Sequence, residues 1–129
     1  MRSRDELNDI SGKIIEFSIK VHKALGPGML EGAYEICLMH ELVQHGFQVQ
    51  SQLTLPIIYD GVRLDAGYRI DLLVEESVIV ELKAIDRLLP VHEAQLLSYL
   101  RMSDLRLGLL INFNVKLLRD GVRRVVNNF

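Results

Sequence analysis

Three ionisable residues stand inside apolar segments of the chain. Asp71 lies between Ile70 and Leu72 in RIDLLV, and Glu81 and Lys83 lie in VIVELKA. Charges in such settings cost several kcal/mol, as an order of magnitude, unless they are paired or bind an ion. Because side chains alternate along a strand, Glu81 and Lys83 share one face. If the two segments pair as strands, Asp71 reaches Glu81, and two carboxylates converge beside one ammonium group.

Two carboxylates with backbone carbonyls and waters suit Mg²⁺ or Mn²⁺. Such a metal polarises a phosphoryl oxygen and lowers the pKa of a bound water, and a neighbouring lysine orients or activates that water or balances transition-state charge. The alternative is a buried ion pair of Asp71 or Glu81 with Lys83 that serves only the fold. Spacing alone leaves both interpretations open, since unusual charges mark functional sites only statistically.

Two helices are predicted at the start of the chain. Apolar residues recur at steps of three and four from Leu7 to Leu25, which indicates a helix over 7–25 ended by Gly26-Pro27-Gly28. A second helix is predicted from Leu30 to Gln44, and Gly46 ends it.

The middle of the chain has the pattern of strands. Phe47–Tyr59 and Val62–Val74 are extended segments on either side of Asp60-Gly61, a strong hairpin signal. A turn at 75–77 leads to a strand over Val78–Ala84. These three segments are therefore expected to form neighbouring strands.

The last third alternates again between helix and strand. Pro90 opens a helix that runs to about Met102, and residues 105–113 form an apolar strand suited to burial on both faces. Residues 114–129 are predicted as a short strand or a hairpin with Asp120-Gly121 at its turn. The order ααβββαβ(β) predicts a mixed sheet flanked by helices, of α/β or α+β type.

Composition excludes several classes of protein. The 129 residues are 49% hydrophobic and 25% charged, which predicts one globular domain over 1–129. A net charge of −2 excludes a strongly basic DNA coat, and one cysteine excludes a disulfide framework or a multi-cysteine zinc site. No apolar run approaches the roughly 20 residues that cross a bilayer. The charged start MRSRDELND lacks a signal core, so no membrane association and a cytoplasmic location are expected.

Charge is unevenly distributed along the chain. Residues 1–82 hold 7 basic and 13 acidic residues, whereas residues 83–129 hold 8 basic and 4 acidic ones, including Arg123 and Arg124. Ordinary solvated charge explains this asymmetry, and a phosphate-facing side is the sharper alternative.

Motifs in the chain resemble a known family. Asp71…Glu81-Leu82-Lys83 is similar to the signature of the PD-(D/E)XK nuclease superfamily, and Gly28–Tyr34, GMLEGAY, is similar to the motif of its GxxExxY branch. The similarity continues in VHKALGPG, YRIDLLV, AQLLSYLR and LLINF and covers about residues 8–126. Arg69-Ile70 precedes Asp71, where the superfamily often has a proline.

The resemblance implies a restriction-endonuclease-like fold and a role for each matching residue. Asp71 and Glu81 correspond to the metal-binding acids, Lys83 to the catalytic lysine, and Glu31 to an acid that reaches the metal from an N-terminal helix. Without the resemblance, Glu31 in the first turn of a helix is explained by the helix dipole, worth about 0.5 kcal/mol.

Further positions are implied to contact substrate. Gln95 and Tyr99 correspond to a Q-x3-Y pair that lines the site and helps to hold DNA, and an ordinary amphipathic helix is the alternative explanation. Tyr34, three residues after Glu31 and on the same helical face, is a candidate for positioning substrate. Arg123 and Arg124 are candidate phosphate contacts if the chain is a nuclease.

The resulting hypothesis is a Mg²⁺- or Mn²⁺-dependent phosphodiesterase that hydrolyses nucleic acid, DNA in the first instance, through attack of water on phosphate. A homodimer would fit so small a nuclease. The alternative is a catalytically silent module of the same descent that binds nucleic acid or a protein partner. A third hypothesis is that the ionisable residues form ion pairs in the core and that the chain has no functional site.

Overall fold

The computed structural model describes residues 1–129 and contains three α-helices and five strands. In chain order these are α1 (Arg4–Leu25), α2 (Glu31–Gln44), β1 (Val49–Tyr59), β2 (Val62–Val74), β3 (Val78–Lys83), α3 (Pro90–Ser103), β4 (Leu107–Asn112), a 3₁₀ turn (Leu118–Gly121) and β5 (Val122–Val126). The predicted order of elements is confirmed, with boundaries within a few residues of those expected. None of the helices combines the length and apolarity needed to cross a membrane.

The strands form one mixed sheet in the order β1-β2-β3-β4-β5. Only β3 and β4 are parallel, and α3 makes the crossover between them, because parallel neighbours cannot be joined by a tight turn. The other neighbours are antiparallel. This α+β arrangement agrees with a restriction-endonuclease-like fold.

The first helix begins three residues before the predicted start. The Ser3 hydroxyl accepts a hydrogen bond from the Glu6 amide, and the Glu6 carboxylate accepts one from the Ser3 amide. This reciprocal cap satisfies two amides that the helix itself leaves unpaired. At the other end Gly26 has φ of 69°, a left-handed value that a residue with a side chain adopts only at a cost.

The helices cover the two faces of the sheet unequally. α1 and α2 pack on one face, which receives alternate side chains of β3 such as Val80 and Leu82. α3 packs on the other face, which receives Ile79 of β3 and Leu110 of β4. Because Glu81 follows Ile79 by two residues, strand alternation places it on the α3 face.

The β1–β2 hairpin extends beyond the rest of the sheet. Leu55 and Ile70 at its base join the core beneath α3. From Tyr59 to Arg69 every residue is exposed, with the predicted Asp60-Gly61 turn at the tip. The hairpin is thus anchored at one end only.

Of the two alternatives predicted for residues 114–129, the short strand forms and the hairpin does not. Residues 118–121 make a 3₁₀ turn, and β5 pairs with β4 instead of with a strand of the tail itself. A Cβ at Gly121 would collide with the backbone carbonyl of Asn112, so close backbone approach, and not hairpin geometry, explains this glycine.

Candidate active site

The β2–β3 ladder opens at the two carboxylates that the sequence singles out. Regular pairing stops at Leu72 and Val80. In the next row the Asp71 amide donates to Glu81 Oε2 at 2.8 Å, and the Leu82 amide donates to Asp71 Oδ2 at 2.9 Å. Each carboxylate is therefore fixed by a backbone amide of the opposite strand, and side chains replace the missing ladder bonds.

The same row is distorted on β1. Paired positions run from Ser51–Leu72 to Leu53–Ile70, and Gln52 between them has φ of 52°. A left-handed residue with a side chain costs about 1 kcal/mol. The side-chain nitrogen Nε2 of Gln52 donates to Glu35 Oε1 at 2.9 Å and to Asp71 Oδ1 at 3.4 Å. Gln52 thus links helix α2 to the carboxylates.

Glu81 carries the largest electrostatic perturbation in the site. Its side chain is 5% exposed. Burial, followed by the negative charge of Asp71, raises the pKa of Glu81 to about 8, while the Asp71 amide bond and the charge of Lys83 oppose the rise. A side-chain hydrogen bond between the two acids raises the pKa of Glu81 further. This pair of carboxylates therefore has more negative charge than its surroundings compensate.

Two further acids reach the same place from α2. Burial raises the pKa of Glu31, the charge of Asp71 raises it further, and the charge of Lys83 lowers it. Burial also raises the pKa of Glu35, with Asp71 contributing in the same direction. Glu31 is therefore close enough to Asp71 and Lys83 for both charges to affect its pKa.

The alternation of side chains along β3 places Lys83 on the same face as Glu81, and its ammonium group forms no ion pair. The Lys83 side chain is half-buried. The alternative in which Lys83 is locked in a buried ion pair with Asp71 or Glu81 is therefore not what the protein forms. The ammonium group is available to a ligand.

The fold and this row of carboxylates agree with the comparison of the chain with protein families. The model of the PD-(D/E)XK nuclease superfamily matches residues 8–125. The chain belongs to this superfamily. Searches of curated proteins and of solved structures each give no significant match.

PD-(D/E)XK nucleases generally use divalent metals, and the donor set of this member fits one. Asp71 and Glu81 each present one carboxylate oxygen that no backbone amide holds. No three His, Cys, Asp or Glu side chains are arranged as a complete metal-binding group. Mg²⁺ commonly binds through one or two carboxylates and completes its shell with waters and substrate phosphates, so two fixed acids are sufficient.

Tyr99 and Gln95 of α3 lie at the edge of the candidate site. Tyr99 is buried; burial raises its pKa, and the charges of Glu81, Tyr68 and Asp71 add to the rise. Gln95, one helical turn earlier, is exposed and makes no hydrogen bond within the protein. The structure thus brings Tyr99 close to the acids and leaves Gln95 beside it on the solvent side.

Tyr34 has a different environment from the one expected. Its side chain is fully buried, and its ring stacks on Phe113 with centroids 4.5 Å apart. Its hydroxyl donates to the Gly26 carbonyl at 2.6 Å and accepts from the Met29 amide at 3.1 Å. No atom of Tyr34 is free to touch a substrate. Its contacts hold the loop that leads into α2 and so set the position of Glu31.

Arg123 and Arg124 lie on β5, which β4 separates from the acids of β3. Arg123 lies 3.7 Å from Glu93 of α3. Arg124 donates to Asn8 Oδ1 at 2.6 Å and lies 4.6 Å from the Phe129 ring. The structure therefore does not bring these arginines to the candidate site, and each has partners of its own.

Sequence patterns missed Glu35 and Gln52. Glu35 follows Glu31 by four residues, a spacing that places both on one helical face and could have indicated it. Gln52 carries no comparable signal, since its role arises from strand register and a left-handed backbone.

Proposed function

We propose that residues 1–129 act as one metal-dependent nuclease domain that hydrolyses phosphodiester bonds in DNA. The observation that carries this proposal is the opened row of the sheet, in which one backbone amide fixes one oxygen each of Asp71 and Glu81 and leaves the second oxygen without a backbone partner. The segment Gly28–Tyr34 further supports assignment to the GxxExxY branch of the superfamily.

Asp71 and Glu81 would hold Mg²⁺ or Mn²⁺, with Glu31 as a further acid that acts through water. The bound metal supplies Lewis acidity and a water of lowered pKa. Binding a cation also offsets the excess negative charge that raises the pKa of Glu81. Glu35 and Gln52 are positioning residues, because they act on Asp71 through the hydrogen bonds of Gln52.

Lys83 would orient the attacking water and balance the charge that develops on the phosphate. Its support is its position on the face of Glu81 and the absence of an ion pair that would occupy its ammonium group. Tyr99 and Gln95 would contact the DNA next to the scissile phosphate. Four acids at the site repel phosphate, so tight binding of DNA requires the cation.

Calorimetric titration with Mn²⁺ tests the metal site. Wild type should bind the ion, Asp71→Asn should not, and Asp86→Asn, which removes an exposed carboxylate soon after β3, should behave as wild type. If Asp71→Asn binds Mn²⁺ as wild type does, the proposed site is wrong. Because Mg²⁺ and Mn²⁺ often need phosphate oxygens, the titration is repeated with a short DNA oligomer present.

Lys83→Met separates binding from chemistry. The variant should retain Mn²⁺ binding and lose about a hundredfold or more of metal-dependent DNA cleavage, because the charge next to the phosphate is removed. Cleavage is followed on labelled DNA by gel electrophoresis, with Lys116→Met, on an exposed loop, as the control. Equal cleavage by both variants contradicts the role of Lys83.

A silent module that binds nucleic acid or a protein is the second candidate. The observation that favours it is the absence of a complete three-ligand group in the folded chain. Binding of an oligonucleotide without Mn²⁺ binding and without cleavage would favour this candidate over the nuclease.

A further inference from the structure

We propose that a groove beside the acids binds an unpaired nucleobase of the substrate, so that the nuclease acts on single-stranded or locally unpaired nucleic acid. This inference rests on the proposed function and adds the class of substrate to it.

The groove lies between the base of the β1–β2 hairpin and helix α3. Its volume is about 400 Å³, within the range of small-molecule sites. Ile57 and Tyr68 form the hairpin wall, and α3 forms the other wall with Val91, Ala94, Gln95, Ser98, Tyr99 and Met102. Most of this lining is apolar or aromatic, as in sites that accept a flat ring system.

The groove also presents polar groups that the protein does not use. The Gln95 amide, the Ser98 hydroxyl and the hydroxyls of Tyr68 and Tyr99 form no hydrogen bond within the chain. Apolar walls with a few convergent and unpaired polar groups are typical of a ligand site, since the walls provide burial and the polar groups fix orientation. A nucleobase has a flat face for the walls and a polar edge for these groups.

Two tyrosines supply the aromatic part of the groove. The rings of Tyr68 and Tyr99 meet edge to face, with centroids 5.9 Å apart and planes at 62°. Tyr68 is 39% exposed, so part of its ring is open. Bases without a stacking partner in the nucleic acid stack on exposed aromatic rings, and this contribution is tolerant of sequence.

Tyr99 joins the groove to the acids. The same side chain lines the groove and feels the charges of Glu81 and Asp71. A nucleotide connects its base to its phosphate through a single sugar. A phosphate at the acids therefore places a neighbouring base at the entrance of the groove.

Occupation of the groove requires a base that has left its stack. In a duplex the face of each base is covered by its neighbours and its polar edge is paired, so neither is available to Tyr68 or Ser98. A single strand or a locally unpaired base meets this requirement.

The test compares two tyrosines of the same hairpin. Tyr68→Ala removes an aromatic wall of the groove, whereas Tyr59→Ala removes a 70% exposed ring at the tip, outside it. Fluorescence anisotropy with labelled single-stranded oligothymidylate, in Ca²⁺ and without metal, should show about tenfold weaker binding for Tyr68→Ala and no change for Tyr59→Ala. Wild type should bind the single strand more tightly than a duplex of the same length.

A second variant tests the groove independently, in case Tyr68→Ala unfolds the hairpin. Ala94→Phe fills the groove from the exposed side of α3 and should weaken binding of the single strand without lowering the thermal midpoint. Far-ultraviolet circular dichroism checks the fold of all three variants.

The outcomes separate this inference from the proposed function. Metal-dependent cleavage with equal affinities for single strand and duplex, and with Tyr68→Ala equal to Tyr59→Ala, overturns the groove and leaves the nuclease. Loss of single-strand binding in Tyr68→Ala, in a protein that neither binds metal nor cuts DNA, supports the groove and overturns the nuclease. A change in molecular mass by light scattering, with unchanged oligonucleotide affinity, assigns the groove to a second copy of the chain and overturns the inference.

Discussion

The two faces of the sheet differ in what they bury. The face covered by α1 and α2 has a hydrophobic core of 18 buried residues, and α1 also buries Ser11, Ser18 and His22. The face covered by α3 has a hydrophobic core of 8, and next to it lie Glu81, Lys83 and an open groove. Neighbouring residues of one strand illustrate the difference, since Val80 and Leu82 enter the larger core while Glu81 between them faces the site.

This division explains how a small protein keeps an uncompensated carboxylate buried. β3 is held through Val80 and Leu82, whose burial on the α1–α2 face stabilises it by about 1.5–3 kcal/mol for each side chain. The opposite face can then carry Glu81, whose burial as an anion is unfavourable. Alternate side chains of β3 thus have different roles: Val80 and Leu82 stabilise the core, and Glu81 faces the candidate site.

The largest expected effect is loss of packing on the α1–α2 face. Leu109→Ala leaves a cavity in the larger core and should cost about 2–5 kcal/mol in the free energy of unfolding. Leu110→Ala, the next residue on the α3 face, should cost less, because the smaller core beside an open groove can relax. Urea unfolding measures both, with the exposed Leu117→Ala as control. If Leu110→Ala lowers the free energy of unfolding as much as Leu109→Ala or more, the two faces do not differ in their contribution to stability.

The next effect concerns the charge on the α3 face. The folded-state pKa of Glu81, about 8, lies above its ordinary value of 4.5, so the folded state binds the proton more tightly than the unfolded state. Metal-free protein should therefore lose stability as pH rises towards and through 8, by an amount on the order of a few kcal/mol.

Glu81→Gln tests the origin of that pH dependence. The variant should be more stable than wild type at pH 9, should show a flatter stability profile between pH 6 and 9 and should no longer bind Mn²⁺. Thermal unfolding in the presence of a chelator measures the profile. Glu76→Gln, which changes an exposed carboxylate, should follow wild type, and a steep profile in Glu81→Gln would assign the effect to another group.

The smallest effect sharpens the role of Tyr34 on the α1–α2 face. Tyr34→Phe removes the hydrogen bonds to the Gly26 carbonyl and from the Met29 amide and should cost about 1 kcal/mol of stability. Affinity for oligonucleotide in the absence of metal should stay as in wild type, with Tyr59→Phe as the matched control. Unchanged stability together with weaker oligonucleotide binding would indicate that Tyr34 contacts substrate.

The sequence determined the elements and the main acids. Periodicity of three and four marks α1 and α2, the Asp60-Gly61 turn fixes the hairpin, and apolar segments mark β3 and β4. Alternation also predicts that Asp71, Glu81 and Lys83 converge if β2 and β3 pair, as they do. These features depend on local geometry, which the order of residues specifies directly.

Only the tertiary structure decided which other residues join the site. Gln52 belongs to the site because strand register places it opposite Asp71, where its backbone is left-handed. Tyr34 does not belong to it, because both hydrogen-bond partners of its hydroxyl lie in the loop before α2. Arg123 and Arg124 are kept from the acids by the strand order. The end of the chain forms β5 because β4 offers it an edge. Each outcome depends on contacts between distant segments, whose energies no local pattern contains.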